Sequence, residues 1–159
     1  MILVTVGTHD KQFDRLVKAA DELAGLIDEQ VIIQIGKSNF EPRHATYYDF
    51  VTMEEMDELM KQARVVVAQA GAGTIISVFH KNKPLILVPR LKKFGEHFND
   101  HQIELANILF EQKRAILIEN PTGEALFHAV NKTPLSYTPS GEVKKLITAI
   151  SNQLQIWSG

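Results

Sequence analysis

Short runs of β-branched and aliphatic residues alternate along this chain with stretches in which apolar positions recur every three or four residues. That alternation describes a parallel sheet whose crossovers are helices. Ile2–Val6 is expected as the first strand, ending at Gly7-Thr8-His9. Phe13, Leu16, Val17, Ala20, Leu23, Ala24 and Ile27 then follow at helical spacing. Val31–Ile35 predicts a second strand stopped by Gly36, and Tyr47–Val51 a weaker third. Thr52 with Glu55 has the form of a capping box for a helix running to about Ala63. Val65–Ala68 reads as a strand that enters the turn Gln69-Ala-Gly-Ala-Gly-Thr74, and the turn opens a helix to about His80. Leu85–Val88 and Ala115–Ile118 complete about six strands, with a loop over Pro89–Gly95 and a helix over roughly His97–Gln112 between them. Glu124–Asn131 reads as helical and Pro134–Pro139 as linker-like. From Gly141 to about Trp157, the residues Val143, Leu146, Ile147, Ile150, Leu154 and Trp157 form the stripe of a terminal amphipathic helix, read first as core packing and second as an interface. The fold class is therefore α/β: a doubly wound, mainly parallel, Rossmann-like sheet, with ligand expected at the carboxyl ends of its strands.

Composition narrows the picture. With 159 residues, 45% hydrophobic and 23% charged, the sequence predicts one soluble globular domain over 1–159. A net charge of -2 without a basic block gives no reason to expect nucleic acid. The absence of cysteine excludes disulfides, thiol catalysis and Cys-ligated metal, and fits a cytoplasmic protein. Met1–Gly7 has no basic lead or cleavage site, so it reads as a buried strand and not as a signal peptide. No apolar run reaches bilayer length, which leaves peripheral membrane association through a partner.

Candidate chemistry concentrates at the turns on the expected ligand edge. Gly71 and Gly73 allow backbone N–H groups to converge, with Ala72 between them and Thr74 adding a hydroxyl at a helix start, where a phosphate is the natural guest. Further on, Glu96, His97, Asn99, Asp100, His101 and Gln102 crowd six hydrogen-bonding side chains around Phe98. Capping needs one or two such residues; the mixture suits sugar hydroxyls, and the pair of clusters suggests a nucleotide-sugar pocket. His9, at the end of the first strand, is a candidate acid or base, equally readable as a turn histidine bonding its own backbone. His97 and His101 are spaced i, i+4, but the order His-Glu-x-x-His is missing and there is no Asp-x-Asp, so no metal is expected. Arg90 is a candidate for the charge of a leaving diphosphate, whereas Lys92 and Lys93 read as solvated.

The wording Val4-Thr-Val-Gly-Thr-His9, Phe13-Asp-Arg-Leu-Val17, Ile33-Gln-Ile-Gly36, Ala70-Gly-Ala-Gly-Thr74, Lys83-Pro84, Val88-Pro-Arg90 and Gly95-Glu-His-Phe-Asn-Asp-His-Gln102 resembles glycosyltransferase family 28, in the form of its C-terminal domain. The likeness runs from Met1 to about Ile118, and the bacterial exopolysaccharide and capsule branch fits best. It implies the C-terminal half of a GT-B enzyme: the donor-binding subunit of a two-part, UDP-sugar-dependent, inverting transferase. A separate membrane-associated subunit would bind the acceptor, a lipid-linked saccharide at the cytoplasmic membrane face. By this resemblance the diphosphate sits near Gly7 and Thr8 and on the Gly71–Thr74 turn, the sugar meets Asp100, His101 and Gln102, and no cofactor is needed beyond the donor. Relatives commonly carry His where this chain has Gln69, Asp where it has Asn99, and Glu or Asp, a ribose contact, where it has the shorter, uncharged Ser77.

Two other readings remain open at this level. A dinucleotide-dependent oxidoreductase would place Gly-x-Gly-x-x-Gly after the first strand, but here the glycine pair comes late and Ile76 replaces the third glycine. A non-catalytic nucleotide-sugar-binding subunit, whose partner carries the chemistry, would show the same motifs.

Overall fold

The computed structural model describes residues 1–133 and 143–158; the expected Pro134–Pro139 linker and the helix start at Gly141 lie outside the described residues. Six strands form one sheet: β1 (Ile2–Thr5), β2 (Val31–Gln34), β3 (Thr46–Tyr48), β4 (Val65–Ala68), β5 (Leu85–Leu87) and β6 (Ile116–Leu117). Their order is β3-β2-β1-β4-β5-β6, and every neighbouring pair is parallel. The central strands β1, β2 and β4 are buried at every position, as continuous apolar runs covered on both faces must be.

Helices cover the two faces. α1 (Asp14–Leu26) and α5 (Gly123–Lys132) lie on one side, over a core that includes Val4, Phe13, Leu16, Ile33 and Leu126. On the other side α2 (Met53–Gln62), α3 (Ala72–His80), α4 (His101–Glu111) and α6 (Val143–Ser158) pack over Leu3, Val66, Ile75, Leu87 and Leu109. Leu146 and Ile150 of α6 are buried in that second core and Trp157 packs against it, whereas Leu154 and Ile156 stay exposed.

Local sequence accounts for the element ends. Thr52 accepts from the Glu55 amide while the Glu55 carboxylate accepts from the Thr52 amide, which completes the expected capping box on α2. Asp21, buried in α1, accepts from the amides of Arg43, His44 and Ala45 at 2.7–3.0 Å and fixes the loop leading to β3. The helix expected from His97 begins at His101 instead. His97 Nδ1 accepts from the Asn99 amide and Asn99 Oδ1 from the His101 amide, so side chains take the donors that an earlier helical turn would use. A 3-10 turn, Lys92–Phe94, occupies part of the expected loop, and the third strand ends at Tyr48 instead of Val51.

The strand order fixes where a ligand belongs. Chain direction across the sheet reverses between β1 and β4, and the crevice outside their carboxyl ends is the topological switch point of such a sheet.

Candidate functional site

Two turns flank that crevice, and they meet through one side chain. After β1, Gly7 adopts φ +76°, and a Cβ there would lie 1.8 Å from Nε2 of Gln69. Any other residue at position 7 would meet both a backbone penalty and a collision. Gly7 is held by a short network: its amide donates to Thr5 Oγ1, Thr5 Oγ1 donates to Gln34 Oε1 at 2.6 Å, and Gln34 Nε2 donates to the Gly7 carbonyl at 3.1 Å. After β4, Gln69 Oε1 accepts from Arg90 Nε at 2.6 Å and from Gln102 Nε2 at 3.0 Å. With its oxygen fixed by two donors, the amide can take only one orientation. Its NH₂ end therefore faces the gap between Gly7 and Gly71, at whose Cβ position it would stand 2.8 Å away.

Immediately beyond, Gly71 is the N-cap of α3, and no side chain caps that helix start. The amides of its first turn face a cleft of about 480 Å³. Thr8, Gly73, Thr74 and Ser77 line this cleft together with Gly7, Gln69 and Gly71. Its far wall was not foreseen from sequence: Phe50, Val51, Met53 and Met56, from the loop after β3 and the start of α2, with Asp57 and Lys81 beside them. Phe50 and Met53 are 44% and 87% exposed, so they offer an open apolar platform. The signal was available, because the carboxyl end of β3 opens on the same edge as those of β1 and β4.

A second recess of about 290 Å³ brings Ala70, Gly71 and Ala72 together with His97, Asn99, His101 and Gln102. Gly71 lines both recesses, so they adjoin at the glycine turn. Leu154 and Trp157 of α6 close the outer side, where the indole stacks on the His101 ring with centroids 4.5 Å apart and planes inclined by 8°.

Other expected ligand contacts turn out to build the scaffold. Arg90 is fully buried, and its guanidinium donates to the carbonyls of Val6, Lys11, Gln12 and Glu96 as well as to Gln69. Burial pushes its pKa down to about 10, with Glu96 opposing, so it remains a cation that sets the local potential without reaching the cleft. Glu96, also buried, accepts from Arg15 at 2.9 and 3.0 Å and from the Leu91 amide. Asp100 accepts from the Lys92 amide and lines neither recess. Gln102 lines the second recess but spends its amide group on Arg90 and Gln69.

His9 and His97 form a pair with ring centroids 4.7 Å apart. Burial, then Arg90, lowers the pKa of His9; burial, then His9 and Arg90, lowers that of His97. Both are therefore neutral at pH 7. His9 Nδ1 accepts from the Lys11 amide and also lies 3.3 Å from Asp10 Oδ1, and His97 Nδ1 accepts from the Asn99 amide. Among the described residues, no group of three His, Asp or Glu side chains is placed to hold a metal ion.

With this geometry in place, comparison with known proteins identifies the class. The chain belongs to the glycosyltransferase family 28 C-terminal domain, which matches residues 1–136. It is 31% identical over 122 residues to the human UDP-N-acetylglucosamine transferase subunit ALG13, covering 70% of this chain and 10% of that protein. It is likewise 31% identical over 114 residues to the UDP-N-acetylglucosamine--N-acetylmuramyl-(pentapeptide) pyrophosphoryl-undecaprenol N-acetylglucosamine transferase of Prochlorococcus marinus (strain MIT 9312), covering 67% of this chain and 30% of that one. Among solved structures, the glycotransferase of kitacinnamycin superposes with a TM-score of 0.65 at 20% identity, over 99% of this chain and 40% of that chain. Acinetobacter baumannii MurG superposes with a TM-score of 0.57 at 18% identity, over 81% and 40%. The chain thus spans a minor part of each relative, and its fold is that of one α/β half of a GT-B glycosyltransferase.

Proposed function

We propose that this chain is the donor-binding half of a UDP-sugar-dependent, inverting glycosyltransferase that acts on a lipid-linked saccharide in polysaccharide synthesis. The observation that carries the reading is the convergence at the switch point of the Gly7 turn, the NH₂ end of Gln69 and the uncapped start of α3. Together they form a preorganised set of neutral donors for a pyrophosphate. The uracil would lie against Phe50, Met53 and Met56, and the sugar would enter the second recess beside His97, Asn99 and His101. As the glycosidic bond to UDP breaks, charge develops on the leaving phosphate. Fixed amides and a helix dipole need no reorganisation to meet it, and the His97 ring lines the adjoining recess. No metal is required by this arrangement.

Direct attack on the anomeric carbon needs a base for the acceptor hydroxyl. The described residues lining the second recess include no carboxylate, and its two histidines have their Nδ1 atoms engaged, His97 with the Asn99 amide and His101 with Glu104. The base and the second wall of the cleft are accordingly assigned to a membrane-associated, acceptor-binding partner, which would hold this chain at the inner membrane face. Such a wall is needed to position the acceptor and exclude water. Two named relatives support the reading: one is termed a transferase subunit, and the other acts on an undecaprenol-linked substrate.

Calorimetry with UDP, UDP-N-acetylglucosamine, UDP-galactose and NAD, with and without EDTA, tests donor binding. UDP and a UDP-sugar should bind equally well in EDTA; binding of NAD alone would contradict the reading. Sugar transfer should then appear only when the partner is added. Transfer chemistry that survives in the partner without this chain would make the chain a binding accessory.

A further inference from the structure

We infer that Asp57, a residue of α2, is the group that grips the ribose diol of the bound nucleotide. The inference rests on the nucleotide reading above and adds to it the residue that selects a ribonucleotide. The first recess has two chemically distinct ends, the amides of α3 and the apolar platform of Phe50, Met53 and Met56. A nucleoside diphosphate that satisfies both ends spans the cleft with its ribose between them. The recess is also lined by Ser77, three residues beyond Thr74 on α3, and Asp57, four residues beyond Met53 on α2. Asp57 is the one carboxylate among the described residues lining this recess, and Lys81 the one cation.

Vicinal hydroxyls present two donors side by side, and a carboxylate offers two acceptor oxygens with about four lone-pair sites. A single Ser hydroxyl cannot match both. Asp57 is also positioned before any ligand arrives: Oδ2 lies 2.9 Å from Lys61 Nζ, and Oδ1 pairs with Lys81 Nζ. Its side chain is 41% exposed, so the two lysines leave it open to the cleft. Hydrogen bonds from Lys81 and Lys61 hold its pKa below the ordinary carboxylate value, which keeps it an acceptor at neutral pH.

The test is equilibrium binding of UDP, 2′-deoxy-UDP and 3′-deoxy-UDP to the full chain, to Asp57→Ala and to Glu58→Ala, with thermal melts as a check on folding. The unaltered chain should prefer UDP over each deoxy analogue by about tenfold or more, since hydrogen bonds to a charged group are the strong ones. Asp57→Ala should bind all three alike, near the deoxy level, whereas Glu58→Ala, at an exposed α2 position that lines neither recess, should keep the preference. An Asp57→Ala chain that still discriminates, or an unaltered chain that never does, overturns the assignment. Failure of the unaltered chain to bind UDP at all overturns the nucleotide reading beneath it.

Discussion

Gln69 carries more of the site than any other side chain, because one amide group serves two purposes. Its oxygen completes the buried contacts of Arg90 and Gln102, and its NH₂ end faces the space between two glycines. Gln69→Glu separates the two. The carboxylate still accepts from Arg90 and Gln102, but it turns a donor toward the pyrophosphate into a second negative charge. UDP affinity should fall by at least about tenfold while the fold is retained, a split that calorimetry and thermal melts can read. The histidine pair makes a second prediction at this scale. Its folded pKa values lie below 6.5, so the free protein loses stability as pH falls through that region, where the unfolded chain binds the extra protons. A pyrophosphate beside the rings favours their charged forms. UDP binding near pH 6 should therefore take up protons and tighten as pH falls, and His97→Gln should reduce the uptake. Calorimetry in buffers of different ionisation enthalpy measures it; equal uptake in the variant would remove His97 from the site.

Several residue roles were legible in sequence and others were not, for a physical reason. Gly7, Gly71 and Thr74 announce themselves through chain geometry at strand ends, and all three line the cleft. Arg90 and Glu96 look like ligand contacts because they are charged and lie in a polar cluster. Arg90's partners Lys11 and Gln12 are 79 and 78 residues away in sequence, and local pattern carries no trace of such pairing.

At the scale of elements, periodicity served well wherever a segment was long or buried. The parallel six-stranded sheet follows from it, and the Thr52–Glu55 capping box from the residue types at a helix start. The start of α4 did not, because His97 and Asn99 bond locally to amides that helical spacing would assign to the helix. The apolar wall of Phe50 to Met56 was passed over because a short, exposed edge strand precedes it. α6 reads in sequence as core packing with an interface as the alternative; the structure buries Leu146 and Ile150, stacks Trp157 on His101, and leaves Leu154 and Ile156 outward. Ile150→Ala should cost about 2–5 kcal/mol by denaturant unfolding, as for other buried large-to-small changes. A loss below about 0.5 kcal/mol would mean that α6 does not belong to the core, since surface changes stay within that range.

The molecule as a whole offers one wall of a cleft. The proposed donor contacts gather on the face where β1 and β4 diverge, and the described residues lining the second recess include no carboxylate. Among the described residues no helix is long and apolar enough to cross a membrane.

The most direct measurement is UDP affinity in a Gly73→Asp variant. A Cβ at Gly73 meets nothing within 4 Å, so the new side chain fits the folded protein and extends into the cleft. At the second residue of α3 a carboxylate also suits the helix dipole, and the melting temperature should hold or rise. Placed where the pyrophosphate belongs, the same charge should weaken UDP binding by about a hundredfold or more. Unchanged UDP affinity in a folded Gly73→Asp protein would contradict the account at its centre.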